Sequence, residues 1–412
     1  MTLIIGIGLA QLVPVLLQPV LRRMFAPEEF GVFAVYFSIV STFAIIANFR
    51  YASVIVIPED DETAKNVLAG ALLLIASMSC LLFVVGLLFG ESIITYFEFP
   101  NELMDWVYVI PISVFFVSGS LVLNSWLTRK KKFRGMASNK MIRRGAEGAS
   151  QLSFGWFKVQ GGVIMGTIIG DITNFFVSFW QFKNASGSLK GIKFKAVFDA
   201  LKRYKDFPLY NLIPTLLDTL SLFIPVMIIS NFYTDEITGQ FDLSRQILAL
   251  PLALISAALS QVLLQNIAQR SKERKYILPL LRKNFIGLGL MGVIGVLILF
   301  PLSVPIFTFV FGEQWEMSGK LTSVLVFSYA MRFAITPLSI TFIAIEKIRI
   351  SSFWQVMYFG AICILFTFDN LTIYEFINYY VIIEISVYFL YAILIYLTAK
   401  THDKKIKREI SS

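Results

Sequence analysis

Ten charged residues lie within otherwise apolar stretches of the chain. Lys140, Arg143, Arg144, Arg245 and Arg332 are basic; Glu147, Asp171, Asp218, Asp242 and Glu384 are acidic. At the centre of a bilayer each would cost about 2.5–3.5 kcal/mol, so such groups face a protein interior or a water-filled cavity. The chemistry open to them is recognition and ion binding. A guanidinium stays protonated and donates to two oxygens at once, which suits a phosphate or pyrophosphate. A carboxylate in the same surroundings can carry a proton or hold sodium. The candidate substrate-binding cations are Arg143, Arg245 and Arg332, and the candidate ion-coupling acids are Glu147, Asp171, Asp218, Asp242 and Glu384.

Neighbours at helical spacing extend these charges into polar stripes. They are Lys140, Arg143, Glu147 and Gln151; Thr167, Asp171, Asn174 and Ser178; Asn211, Thr215 and Asp218; Thr238, Asp242 and Arg245; Tyr329, Arg332, Thr336 and Ser339; and Tyr380, Glu384, Tyr388 and Tyr391. A stripe of Gln11, Pro14, Gln18 and Arg22 opens the chain, and Ser38, Ser41 and Asn48 lead to Arg50. Two bland readings stand beside the functional one. Arg143 with Glu147 and Asp242 with Arg245 have the spacing of ion pairs that satisfy each other. Glu384 among tyrosines is either a hydrogen-bonded packing network or a set of flat faces for a sugar.

Other chemistries are excluded. The two cysteines, Cys80 and Cys363, lie in apolar runs, and the single histidine, His402, sits in the polar tail. That leaves no disulfide framework, thiolate metal site or histidine catalysis. No G-x-x-x-x-G-K-[ST] loop is present, so the chain carries no nucleotide-hydrolysing signature. No cofactor, metal or catalytic residue is expected.

The elements that must position these residues are membrane helices. Of 412 residues, 57% are hydrophobic and 15% charged, and the mean hydropathy is +0.72. A soluble domain is about 45–50% apolar and about 25% charged, so a soluble enzyme, a disordered chain and a nucleic-acid-binding protein are all excluded. Apolar segments run at 3–21, 30–49, 67–89, 106–127, 137–156 and 161–182, then at 208–230, 238–262, 285–309, 321–345, 351–368 and 372–397. Each approaches the about 20 residues that cross a bilayer, and lipid requires each to be helical. The expectation is an all-α polytopic membrane protein of twelve transmembrane helices. No basic n-region precedes the first, so no cleaved signal peptide is expected.

The longest loop, 183–207, divides the helices into lobes 1–182 and 208–412, the latter ending in a basic tail. Within it, Phe194, Val197, Phe198 and Leu201 share one helical face ringed by lysines, as in a helix lying on an anionic leaflet. With a cytoplasmic N-terminus, 27 of the 36 Lys and Arg fall in cytoplasmic segments, 4 outside and 5 within helices. The positive-inside rule therefore places both termini in the cytoplasm. The net charge of +9 resolves into +17 inside, −8 outside and zero within the helices. It is a topology signal and not a nucleic-acid footprint.

Pro27-Glu28-Glu29-Phe30-Gly31-Val32-Phe33 and Asp235-Glu236-Ile237-Thr238-Gly239-Gln240-Phe241 form a faint repeat six helices apart, pointing to parallel repeats about an axis along the membrane normal. Gly162, Gly166 and Gly170 form a close-packing stripe. The uncharged segments 67–89, 106–127, 285–309 and 351–368 are expected to be peripheral and lipid-facing, with the others around a central hydrophilic cavity shared by the two lobes.

Several stretches resemble the Wzx-type O-antigen flippases of the multidrug/oligosaccharidyl-lipid/polysaccharide exporter superfamily. They are Leu21-Arg22 with Pro27-Glu28-Glu29-Phe30-Gly31; Arg50-Tyr51 with Ile55-Val56-Ile57-Pro58; Ala137-Ser138-Asn139-Lys140 before Arg143; Lys205-Asp206-Phe207-Pro208-Leu209-Tyr210-Asn211; and Pro251-Leu252 through Ser260-Gln261. They run through both halves in order. The resemblance implies a MATE-like fold of two six-helix lobes around a V-shaped cavity. It implies an undecaprenyl-pyrophosphate-linked oligosaccharide, moved to the outer leaflet of the bacterial inner membrane, and polymerase and chain-length proteins of the same pathway as partners. It also implies that Arg22 or Arg23, Arg50 and Arg245 meet the pyrophosphate. Where the family often has an acid after the Arg-Tyr pair, this chain has Ala52, so a coupling role resting on that acid does not carry over. The rival readings are a cation-coupled multidrug exporter of the same fold and a membrane-embedded glycan polymerase or glycosyltransferase. The second lacks the long external loop such an active site would need.

Overall fold

In lipid, backbone polar groups must be satisfied within the segment, and helices meet that demand. The computed structural model describes residues 16–187, 189 and 191–411, among which no strand occurs. Helix α1 covers 16–24, α2 Pro27–Ala47, α3 Tyr51–Val54, α4 Asp61–Tyr96 and α5 Ile110–Arg129. Next come α6 Phe133–Trp156, α7 Gly162–Asn184, α8 Phe194–Arg203, α9 Asp206–Phe232 and α10 Asp235–Lys272. The remainder are α11 Leu278–Phe311, α12 Glu316–Ile335, α13 Thr341–Ala344, α14 Ile348–Cys363 and α15 Ile373–Ser411.

The protein is an all-α polytopic membrane protein. Among the described residues, ten helical stretches are long and apolar enough to cross a membrane. Most of the first expected helix, with Gln11 and Pro14, lies outside the described residues, as does Lys190. The segment 137–156 is inside α6, whose 24 residues reach about 36 Å. It has the length of a span but is not among the ten apolar stretches. It carries Lys140, Arg143, Arg144 and Glu147.

Capping residues set the helix starts. Pro27 takes the first position of α2, followed by Glu28 and Glu29, where the helix dipole favours acids. Asp60 caps α4 by accepting from the Thr63 N–H at 2.6 Å. That bond, with a second from the Thr63 hydroxyl, favours the ionised form and holds the Asp60 carboxyl below its ordinary pKa.

The chain forms two compact units, the first ending at Gly239 and the second beginning at Gln240. In the first, α5 corrects the expectation of an uncharged, lipid-facing helix: 61% of its membrane-length window is buried, as much as of α2. Its small polar residues dock on neighbours. Ser113 bonds the Tyr36 hydroxyl at 2.5 Å, and Ser118 donates to the Ala44 carbonyl at 2.5 Å. Lack of charge alone does not make a helix peripheral when Ser and Gly let backbones approach. By contrast, α4 and α11 are only 11% buried in their windows, as expected.

The two halves of the repeat meet. A Cβ on Gly31 would run into the carbonyl of Asp235, and one on Gly239 into the carbonyl of Pro27. Position five of each copy thus sits on position one of the other. This is the mutual pattern of a two-fold contact, and glycine allows the backbones to touch.

The expected amphipathic helix is α8, but its apolar stripe is divided. Val197 is buried, and Leu201 lies under Gly70 of α4, while Phe194 and Phe198 stay exposed.

Candidate functional site

Two groups of membrane-embedded charges emerge, one in each unit. In the first, α6 and α7 are brought together by the glycine stripe. At Gly166 a Cβ would stand 2.9 Å from the Gln151 backbone nitrogen, and at Gly170 it would stand 3.2 Å from the Arg143 carbonyl. At that separation Gln151 donates to the Val163 carbonyl at 3.1 Å and to Thr167 at 3.2 Å. Arg143 crosses to Asp171 on α7, with Nη2 2.8 Å from the carboxylate. Glu147 pairs instead with Arg144, at 2.9 Å. The Arg143–Glu147 pair that the spacing allowed is therefore replaced by an interhelical pair, with Gly170 letting α7 approach the Arg143 backbone.

The acids of this group are sealed and the bases are not. Asp171 and Glu147 are 7% and 11% exposed in their side chains, Arg143 and Arg144 26% and 37%. Lys140 is exposed and has no ion-pair partner among the described residues. Three cations face two carboxylates, so the group has one positive charge in excess, on its open side.

In the second unit, Glu384 on α15 is wholly buried. Arg332 on α12 places Nη1 3.6 Å from Glu384 Oε2, and its guanidinium lies over the rings of Tyr329 and Tyr388 at 5.1 and 5.5 Å. The Tyr358 hydroxyl donates to Glu384 Oε1. Trp354 stacks on Tyr358 and Tyr391, with centroids 5.2 and 3.8 Å apart. Tyr358 and Trp354 belong to α14, within the segment 351–368 whose lack of charge predicts a peripheral helix. The one signal in the sequence that could have found them is their spacing with Ser351, at i, i+3 and i+7. Nearer the start of α10, Asp242 pairs with Arg245 at 3.4 Å and accepts from Gln246 at 2.6 Å, the short-range pair that the spacing predicts.

The remaining candidates are dispersed. Arg22 is 1% exposed, bonds Gln18 at 2.9 Å and lies 3.6 Å from the centre of the Phe30 ring. Arg23 and Asp218 are exposed. Arg50 occupies a left-handed turn, φ 63°, between α2 and α3, and its Nε is shut from solvent without a hydrogen-bond partner. Beside it, the Tyr51 hydroxyl donates to the Leu201 carbonyl of α8 at 2.9 Å.

A family described as polysaccharide biosynthesis protein matches residues 20–320. The chain belongs to that family. Membership agrees with the flippase resemblance of the sequence. No curated protein sequence matches the chain significantly. Among solved structures, the lipid II flippase MurJ in an inward closed conformation is similar, with a TM-score of 0.73 and 16% identity over 97% of this chain and 89% of that one. An inward-facing multidrug resistance MATE family transporter of the MOP superfamily aligns with a TM-score of 0.69 and 14% identity, over 97% and 96%. A MOP superfamily transporter from Pyrococcus furiosus, whose binding pocket is described as reversed in polarity, aligns at 0.54 and 16% over 98% and 94%. The chain thus has a MATE-like fold.

Proposed function

We propose that the protein is a flippase that moves an undecaprenyl-pyrophosphate-linked oligosaccharide, an O-antigen or capsule repeat unit, from the cytoplasmic to the outer leaflet of the bacterial inner membrane. The observation that carries this reading is α6: a membrane-length helix whose acids are buried against α7 while Lys140, Arg143 and Arg144 stay open with a charge in excess. A helix of that kind is stable in a membrane only beside water or an anion. Guanidinium groups fit a pyrophosphate, and membership of a polysaccharide biosynthesis family supports a glycan-linked substrate.

In this reading the two six-helix lobes, 1–182 and 208–412, alternate the access of the substrate, joined by the basic segment 183–207, with both termini cytoplasmic. Arg50 and Arg143 in the first unit and Arg245 in the second are the candidate phosphate-binding cations, with Arg22 and Arg23 near the first helix. Arg332, closed in with Glu384, holds α12 to α15 and does not touch the glycan, and Asp171 and Asp218 are the acids through which an ion gradient acts. The partners are the lipid-linked glycan itself and the polymerase and chain-length proteins of its pathway. The test is a leaflet-sidedness assay of lipid-linked glycan in cells with and without the protein. Arg245→Ala and Arg143→Ala should each abolish outer-leaflet glycan while the membrane protein is retained. Normal glycan in both variants overturns the assignment. The fold shared with a multidrug resistance transporter favours a second reading, drug export, which requires a deletion strain to become drug-sensitive.

A further inference from the structure

The second unit contains a cavity of about 430 Å³ at the start of α11, within the about 300–1,000 Å³ range of small-ligand sites. Its walls are apolar: Leu281 and Phe285 from α11, Leu338 from the turn after α12, and Ala392, Ile393 and Ile395 from α15. Further along α11, Ile286 and Leu290 are exposed on a helix long enough to span the bilayer, so lipid reaches this side of the unit.

One end of the cavity is basic. Arg282 is a lining residue and is exposed. Lys400 lies one turn beyond the lining residue Tyr396, with Nζ 5.6 Å from its ring centre. No carboxylate among the described residues pairs with either cation. Asp403, three residues past Lys400, is committed elsewhere, accepting from the N–H groups of Ile277 and Leu278 at 2.9 and 3.0 Å to cap α11. A purely apolar guest would leave these cations without a role, and a small soluble anion would leave the apolar volume empty. An amphiphile with an anionic head satisfies both.

We propose that this cavity binds an anionic phospholipid of the leaflet on the basic side of the membrane. One acyl chain lies among Leu281, Phe285, Leu338 and Ile395, and the phosphate lies between Arg282 and Lys400. The site is independent of the flippase reading, since none of its residues is among the candidate substrate contacts.

The test is native mass spectrometry of the full-length protein titrated with phosphatidylglycerol and with phosphatidylcholine of the same chains. Two cations near the surface, each contributing about 1 kcal/mol, correspond to a preference of about 30-fold for phosphatidylglycerol. Arg282→Ala and Lys400→Ala should each lose about fivefold, and the double variant should lose the preference. Ala392→Trp should fill the cavity and remove binding with both cations intact; Ile393→Trp on the same wall serves if that variant does not fold. Equal binding of the two lipids, or phosphatidylglycerol binding that survives the filled cavity, overturns the proposal. Displacement of phosphatidylglycerol by equimolar undecaprenyl phosphate also overturns it, by assigning the cavity to a polyprenyl chain.

Discussion

The two charge groups use the same ingredients to opposite ends. In the first unit, Arg143 and Arg144 cover Asp171 and Glu147 from an open side and leave Lys140 over. In the second, Arg332 and Glu384 are closed in by Tyr329, Tyr358, Tyr388 and Trp354. The glycines of α7 make the first group shallow, because backbones in contact leave no room to wrap long cations. The aromatic rings of α14 and α15 make the second deep. An open group with excess charge can exchange partners with a ligand. A sealed pair holds its helices together and resists exchange, since separating it leaves a charge in a low-dielectric interior.

That contrast predicts a hierarchy of effects. The largest is expected for Glu384→Ala, which strands Arg332. Breaking a buried pair costs about 3–5 kcal/mol, seen as a large fall in the thermal midpoint of the purified protein. Replacing both residues, as Arg332→Met with Glu384→Leu, should recover most of it. A double variant as unstable as the single one would show that the pair is more than a mutual counter-charge. Next is Gly31→Val, which puts a side chain into the Asp235 carbonyl. Overpacking of this sort costs about 1–3 kcal/mol, and Gly239→Val should match it if the two turns are equivalent. Equal midpoints for wild type and both variants would contradict the close approach.

Smaller still is the stability effect expected of Lys140→Ala, because Lys140 is exposed and pairs with no acid among the described residues. Its loss should lower glycan export more than it lowers the thermal midpoint. The reverse order would make the first group structural. The smallest effect concerns Asp60, which lies outside both groups. Its depressed pKa means that its cap stabilises the fold above the ordinary Asp range and is lost as the pH falls through the native value. Asp60→Ala should therefore lower the stability slightly at neutral pH, leave the value below the native pKa unchanged, and so flatten the acid limb of the stability–pH curve.

Much of this was legible in the residues. Hydropathy placed the helices, and lipid left no alternative secondary structure. The repeat around Gly31 and Gly239 marked two turns that do touch. The Asp242–Arg245 pair followed from helical spacing, since both partners ride on one rigid element. The Arg143–Asp171 pair did not, and neither did the burial of α5 nor the reach of Tyr358 to Glu384. Each of these joins two helices.

Composition and periodicity alone decide that this chain is a helical membrane protein, which faces of its helices are polar and where its basic loops lie, because those properties are local to a segment. Which polar face meets which is decided only in three dimensions. Gly166 and Gly170 bring α7 close enough for Asp171 to outcompete Glu147. Ser113 and Ser118 draw an uncharged helix inward. Tyr358, with Trp354 stacked on its ring, reaches a carboxylate 26 residues away in the chain. The helical period specifies direction around an axis, whereas the distance and choice of neighbour depend on side-chain volume at contacts that no single helix contains.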